Sequence, residues 1–182
     1  MLWTLYSRFN TFKMDNEIVN RVANSKLITI DLEDWYVEGT RTVFDIKDWL
    51  LEGLILKETD FRNHEKNHDW SQYQDHFVVL TCSTDAIIPG WAYMLLTTAL
   101  SPYAKKVIVG SLADLEIQLY ETQIALIDTN QFKDKPVIVK GCSNKPVPEN
   151  AYISLVQKLQ PVVKSIMYGE ACSSVPLYKR KN

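Results

Sequence analysis

Many hallmarks of nucleotide-binding, membrane and secreted proteins are missing from these 182 residues. There is no G-x-G-x-x-G and no G-x-x-x-x-G-K-[ST], so no nucleotide cofactor is expected. No apolar run approaches the eighteen or so residues that cross a bilayer, which argues against a membrane partner. Neither sign of charge dominates: 20 Lys and Arg stand against 22 Asp and Glu, a formal net charge of −2. That balance leaves no footprint for a phosphate backbone, so no nucleic-acid partner is expected. Cysteine is scarce. Cys82, Cys142 and Cys172 are odd in number, widely spaced and without a C-x-x-C pair. This is the wrong pattern for a disulfide framework or a zinc ribbon, and it fits a reduced, cytoplasmic setting.

What is present is the composition of a globular domain, 46% hydrophobic and 23% charged. The first thirteen residues lack both the apolar core and the small-residue cleavage site of a secretory signal. They read as a flexible extension, residues 1–13, before a single domain over 14–182. Asp15 is the expected N-cap of its first helix, with Ile18, Val19 and Val22 on the apolar face.

An internal repeat organises the second half. Shifted by 59, Pro89, Ala92, Tyr93, Leu96, Leu100, Pro102, Lys105 and Gly110 fall on Pro148, Ala151, Tyr152, Leu155, Leu159, Pro161, Lys164 and Gly169. Composition alone would give roughly one or two such identities in a window of this length. One gap in the preceding loop also aligns Val79, Cys82 and Ser83 with Val139, Cys142 and Ser143. Each unit, 77–110 and 136–169, reads as an apolar strand, a Cys-Ser turn, a helix and a second strand ending in glycine. The expected strands are Phe77 to Thr81, Lys106 to Val109, Pro136 to Lys140 and Ser165 to Tyr168. The helices run from about Pro89 to Leu100 and Pro148 to Leu159, each with proline at its first position and a Tyr, Leu, Leu stripe. Between the units, Ser111-Leu112-Ala113-Asp114 resembles a capping box opening a helix to about Asp128. The fold class is therefore α/β: a mostly parallel sheet from two duplicated βαβ units with right-handed crossovers.

An N-terminal α+β extension precedes it. Leu27 to Leu32 and Arg41 to Ile46 read as strands around a turn at Glu38-Gly39-Thr40, an antiparallel addition to the sheet. Asp48 to Leu56 and Glu58 to Asn67 read as helices, the second polar and exposed.

If the strands are parallel, all three thiols emerge at the carboxyl edge of one sheet, where open α/β sheets bind ligands. Three thiolates there would bind Zn or Fe, leaving a fourth position for His68 or, alternatively, Asp85. His76 begins the strand that ends at Cys82, about six residues and so roughly 20 Å away, and should not join them. Lys145 would instead hold a thiolate or an anionic substrate. Small residues buried at tight turns are the competing explanation for the cysteines.

Two sharper motifs are set aside. His64-Glu65-Lys66-Asn67-His68 matches H-E-x-x-H, but its flanks are polar where a metalloprotease helix is buried, and the extended form is absent. The residues after Cys82 and Cys142 contain no Arg to close a phosphatase anion loop. Asp31, Glu33, Asp34, Asp45 and Asp48 are expected to be solvated or capping. Trp35, Trp49, Trp70 and Trp91 are expected in the core or an interface.

Longer stretches carry a resemblance. Ile30-Asp31-Leu32-Glu33-Asp34-Trp35, Asn67-His68-Asp69-Trp70-Ser71, Pro89-Gly90-Trp91-Ala92-Tyr93-Met94, Lys140-Gly141-Cys142-Ser143-Asn144-Lys145-Pro146-Val147-Pro148 and Leu159-Gln160-Pro161-Val162-Val163-Lys164-Ser165 resemble the domain-of-unknown-function family numbered 2480, of the Bacteroidetes type. The likeness runs from Asp15 to Lys181. It implies no catalytic residues, only an association with iron–sulfur cluster assembly proteins. The leading expectation is a Cys-based Zn or Fe binding protein accessory to iron–sulfur or sulfur metabolism. A second is a cysteine-dependent enzyme or persulfide carrier with Cys172, which lies outside the repeat, as its nucleophile. A third is a non-catalytic interaction module whose duplicated unit forms a scaffold or a homodimer surface.

Overall fold

The computed structural model describes residues 27–141, 144–170 and 173–181. The expected Asp15 helix and the 1–13 extension lie outside them. Among the described residues seven strands and four α-helices follow in chain order: β1 (Ile28–Ile30), β2 (Arg41–Asp45), α1 (Glu58–Asn67), β3 (Phe77–Thr81), α2 (Gly90–Leu100), β4 (Lys106–Val109), α3 (Leu112–Ala125), β5 (Pro136–Val139), α4 (Glu149–Leu159), β6 (Ser165–Glu170) and β7 (Ser173–Lys179). The chain is α/β and mostly parallel, but its strands form two sheets where one was expected. β2, β3 and β4 make one, and β1, β5, β6 and β7 make the other.

β1 and β2 do not pair with each other as an antiparallel addition. Each joins a different sheet in parallel, β1 beside β5 and β2 beside β3. The stretch from Asp48 is not an α-helix either. A short 3-10 turn, Ile46–Trp49, runs into a tight bend closed by a Leu51–Ile55 bridge, in which Glu52 and Gly53 both take positive φ.

The duplication extends further than the helices. Asp31 and Asp45 cap equivalent 3-10 turns after β1 and β2, each side chain accepting from the amide two residues on. Asp69 and Asp128 do the same before β3 and β5. Each unit is thus strand, 3-10 turn, helix, 3-10 turn, strand, helix, strand. The unit of β2, β3 and β4 is continuous, whereas β1 and the 3-10 turn after it are separated from the rest of their unit by the whole of the other.

Register removes the gap in the repeat. Val78 lies opposite Thr42 and Val137 opposite Ile28, while Phe77 pairs with Lys106 and Pro136 with Ser165. The strands therefore correspond with the same offset as the helices. Cys82 is equivalent to Gly141, and the Cys82–Cys142 alignment does not hold. Pro89 and Pro148 sit at the N-cap rather than the first helical position. The buried stripes read Ala92, Leu96, Leu100 and Ala151, Leu155, Leu159, with the tyrosines at their margins.

α3 explains why there are two sheets. Its capping box forms as expected at Ser111 and Asp114. Leu115 and Leu119 pack with Phe77, Val79 and Ile108 on one face of the β2-β3-β4 sheet. Tyr120 and Ile124, from another side of the same helix, join Ile30, Val137, Val139, Ile166 and Leu155 in the core of the other sheet. α1 and α2 cover the second face of β3 through Phe61, Ala92, Leu96 and Leu100 against Val78 and Leu80. β3 is consequently buried on both faces, which is why its sequence is a continuous apolar run. Arg41 ties the layers together, its Nε 2.8 Å from Glu116 Oε1 on α3 and its guanidinium 4.6 Å from the centre of the Tyr36 ring.

Candidate functional site

The expected site residues divide between the sheets. Cys82 follows β3; its Sγ lies 3.4 Å from Thr84 Oγ1, and the residue packs against the core beneath α1 and α2. Asp85 lines an open groove of about 670 Å³ with Leu54, Ile55, Ile87 and Trp91. His68 caps the C-terminus of α1, with Nε2 3.2 Å from Tyr73 Oη and 3.1 Å from Gln72 Nε2. Its ring packs against Phe44, Trp49, Trp70 and Tyr73. His64 stacks on Trp49, the ring centroids 5.5 Å apart. Both histidines of the H-E-x-x-H stretch thus touch the Trp49 indole; His68 is partly buried among the rings, whereas His64 is exposed. His76 bonds Thr42 Oγ1 at 3.0 Å beside the start of β3, away from Cys82 as expected. Among the described residues no group of three or more His, Cys, Asp and Glu is gathered to hold a metal ion.

Burial lowers the His68 pKa below its ordinary 6.5, with Asp69 opposing the shift. A depressed folded-state pKa means that the unfolded chain binds the proton first. Stability should therefore fall as pH drops below about 6.5, until His68 protonates in the folded state as well. Urea midpoints across pH 5–8 would show the slope, and His68→Phe should flatten it. A slope unchanged in that variant would assign the titration to other groups.

Cys142 and Cys172 lie outside the described residues, but their flanks are informative. β5 and β6 are parallel neighbours, with Val139 opposite Tyr168, and they run on towards Cys142 and Cys172 respectively. Around this carboxyl edge the side chains form a connected group. Lys140 Nζ sits 2.7 Å from Asp31 Oδ2. That bond holds the Asp31 carboxyl below its usual range and raises the Lys140 pKa. Lys145 Nζ contacts Glu38 Oε1 at 2.5 Å and lies over the Tyr36 ring, and the bond to Glu38 raises the Lys145 pKa. Both lysines are held as cations by neighbouring carboxylates. Glu33 Oε1 accepts from the amides of Asn144 and Lys145, anchoring the loop just beyond Cys142.

Gly141 stands at a close approach to Tyr168. A Cβ there would lie 2.6 Å from the Tyr168 ring, whose hydroxyl donates to the Gly141 carbonyl at 3.3 Å. Tyr120 adds a buried polar atom. It is 1% exposed, and its hydroxyl has no hydrogen-bond partner among the described residues. Burial pushes its pKa up to about 12, with Glu116, Tyr152, Tyr36 and Glu33 adding to the shift. The hydroxyl therefore stays protonated, a donor close to the groups of this edge. The sequence hinted at Lys145, but not at the Tyr36, Tyr120, Tyr168 and Glu33 surround, because α3 and the turn after β1 reach it only through the fold.

No helix among the described residues is long and apolar enough to cross a membrane. Neither a curated protein nor a solved structure matches the chain. The family model described as "Protein of unknown function (DUF2480)" matches residues 16–180, nearly the whole length, and the chain belongs to that family.

Proposed function

We propose that this protein binds a Zn or Fe ion through Cys142 and Cys172 at the carboxyl edge of the β5–β6 pair, as an accessory to iron–sulfur or sulfur metabolism. The observation that carries the reading is the pairing of β5 with β6. Neighbouring parallel strands are about 4.8 Å apart, so chain that continued past their ends in the same spacing would bring two thiols within reach of one ion. Cys82 follows a strand of the other sheet and is structural in this reading. The acidic surround supports a cation rather than an anion. Glu33, Asp34 and Glu170 lie at or beside this edge, and both nearby lysines already face carboxylates. Oxygen ligands from these carboxylates and the Tyr120 donor would complete the surroundings of a thiolate-bound ion.

Metal analysis of the purified protein tests the reading. Cys142→Ser and Cys172→Ser should each lose most of the bound Zn or Fe, while Cys82→Ser keeps it. Tyr120→Phe should lower retention while leaving the metal-free fold as stable as before, because it removes a buried hydroxyl that lacks a partner among the described residues. Metal content unchanged in all three cysteine variants, or absent from the unmodified protein, would overturn the proposal.

A further inference from the structure

The opposite edge of the same sheet carries the reverse charge. β7 is the antiparallel member, pairing Lys179 with Ser165 and so returning the chain to the amino edge of β6. There the Arg180 amide donates to the Lys164 carbonyl at 2.9 Å, and the Lys164 amide donates to Lys135 at 2.9 Å. Lys164, Lys179, Arg180 and Lys181 line an open groove of about 510 Å³, so that every described residue lining it is a cation. Lys133 and Lys135 precede β5 at this edge and are exposed. Asp134 between them pairs with Arg180. In a chain of net charge −2, such a concentration of one sign costs folding stability, because like charges side by side repel.

We propose that this groove is a binding site for a small multivalent anion bearing more than one phosphoryl group. Lysine ammonium groups act as point charges for phosphoryl oxygens, and the guanidinium adds directed donors. The volume lies within the range of small-molecule sites, roughly 300–1,000 Å³. No aromatic side chain lines the groove among the described residues, so these residues offer no stacking platform of the kind single-stranded nucleic acid uses. β6 spans six residues, so the groove lies roughly 20 Å from the carboxyl edge, and the two sites can fail separately.

Calorimetric titration of the full chain with inorganic tripolyphosphate at low salt, with orthophosphate alongside, tests the site. Tripolyphosphate should bind more tightly than orthophosphate. Raising the salt from about 0.05 to 0.5 M should weaken its binding roughly tenfold or more through screening. The double variant Lys164→Gln/Lys181→Gln, confined to exposed side chains, should weaken it by a similar factor while the melting temperature of the free protein is kept. No binding, or equal binding by the double variant, would overturn the proposal. So would tighter binding to duplex RNA or to phosphatidylserine vesicles, lost in the same variant, since it would assign the groove to a polymer or a lipid surface.

Discussion

Phe61→Ala should destabilise the protein by about 3–5 kcal/mol, the usual range for emptying a fully buried aromatic site. Phe61 has no exposed surface and is the buried anchor of α1, an otherwise polar helix. Its ring meets Trp49 edge-on at 5.3 Å and Trp91 at 5.7 Å, and it belongs to the core that α1 and α2 build on β3. Neighbouring rings are too rigid to collapse into the space, so the cavity should persist. Against a total stability of about 5–15 kcal/mol, a loss of this size leaves a small margin. α1 should detach first, taking His64 and His68 away from Trp49. Urea unfolding followed by tryptophan fluorescence would measure both effects. A loss below about 1 kcal/mol would mean that α1 contributes little to the core, contrary to its packing.

Gly169→Ala should produce a second large loss, for two additive reasons. Gly169 has φ +112, a conformation costing other residues about 1–3 kcal/mol. A Cβ there would also lie 2.7 Å from the Ser173 carbonyl oxygen, which belongs to the backbone of β7 and cannot swing aside. Forcing the two apart should add about 1–3 kcal/mol. Gly169 pairs with Ser174, so the damage falls on the β6–β7 hairpin. The variant should therefore weaken tripolyphosphate binding as well, because Lys179, Arg180 and Lys181 reach the groove only through β7. Near-native stability in Gly169→Ala would show that the hairpin can shift without cost.

Local patterns carried much of this fold. Phe77 to Thr81 and Pro136 to Val139 were legible because strands flanked on both sides in a parallel sheet leave nearly uninterrupted apolar runs. The helix over Glu58 to Asn67 was legible from its length and flanks, although Phe61 alone makes it part of the core. Errors arose where two local signals compete. Asp45 and Asp31 begin 3-10 turns that resemble helix starts, and the Leu51–Ile55 bend hides in a stretch with helical spacing. The Cys-Ser dipeptides suggested an alignment that backbone pairing replaces by a uniform offset.

The candidate site was less legible. Three cysteines after three parallel strands imply a common edge only if those strands share a sheet, and α3 prevents that. Leu115 and Leu119 face one sheet while Tyr120 and Ile124 face the other, so the helix separates Cys82 from the edge to which β5 and β6 lead. Linear sequence holds the apolar positions of α3 but not the division of labour between them.

By itself, then, the sequence determined the duplicated strand-helix-strand units, because their hydrophobic period and capping residues act over a few neighbouring positions. It also determined the family, through long stretches that the family model matches. Only the tertiary structure decided that β1 and β2 part to different sheets, and that an antiparallel β7 gathers Lys179, Arg180 and Lys181 beside Lys164. Those outcomes depend on long-range packing around α3 and on strand direction, which no local pattern of residues encodes.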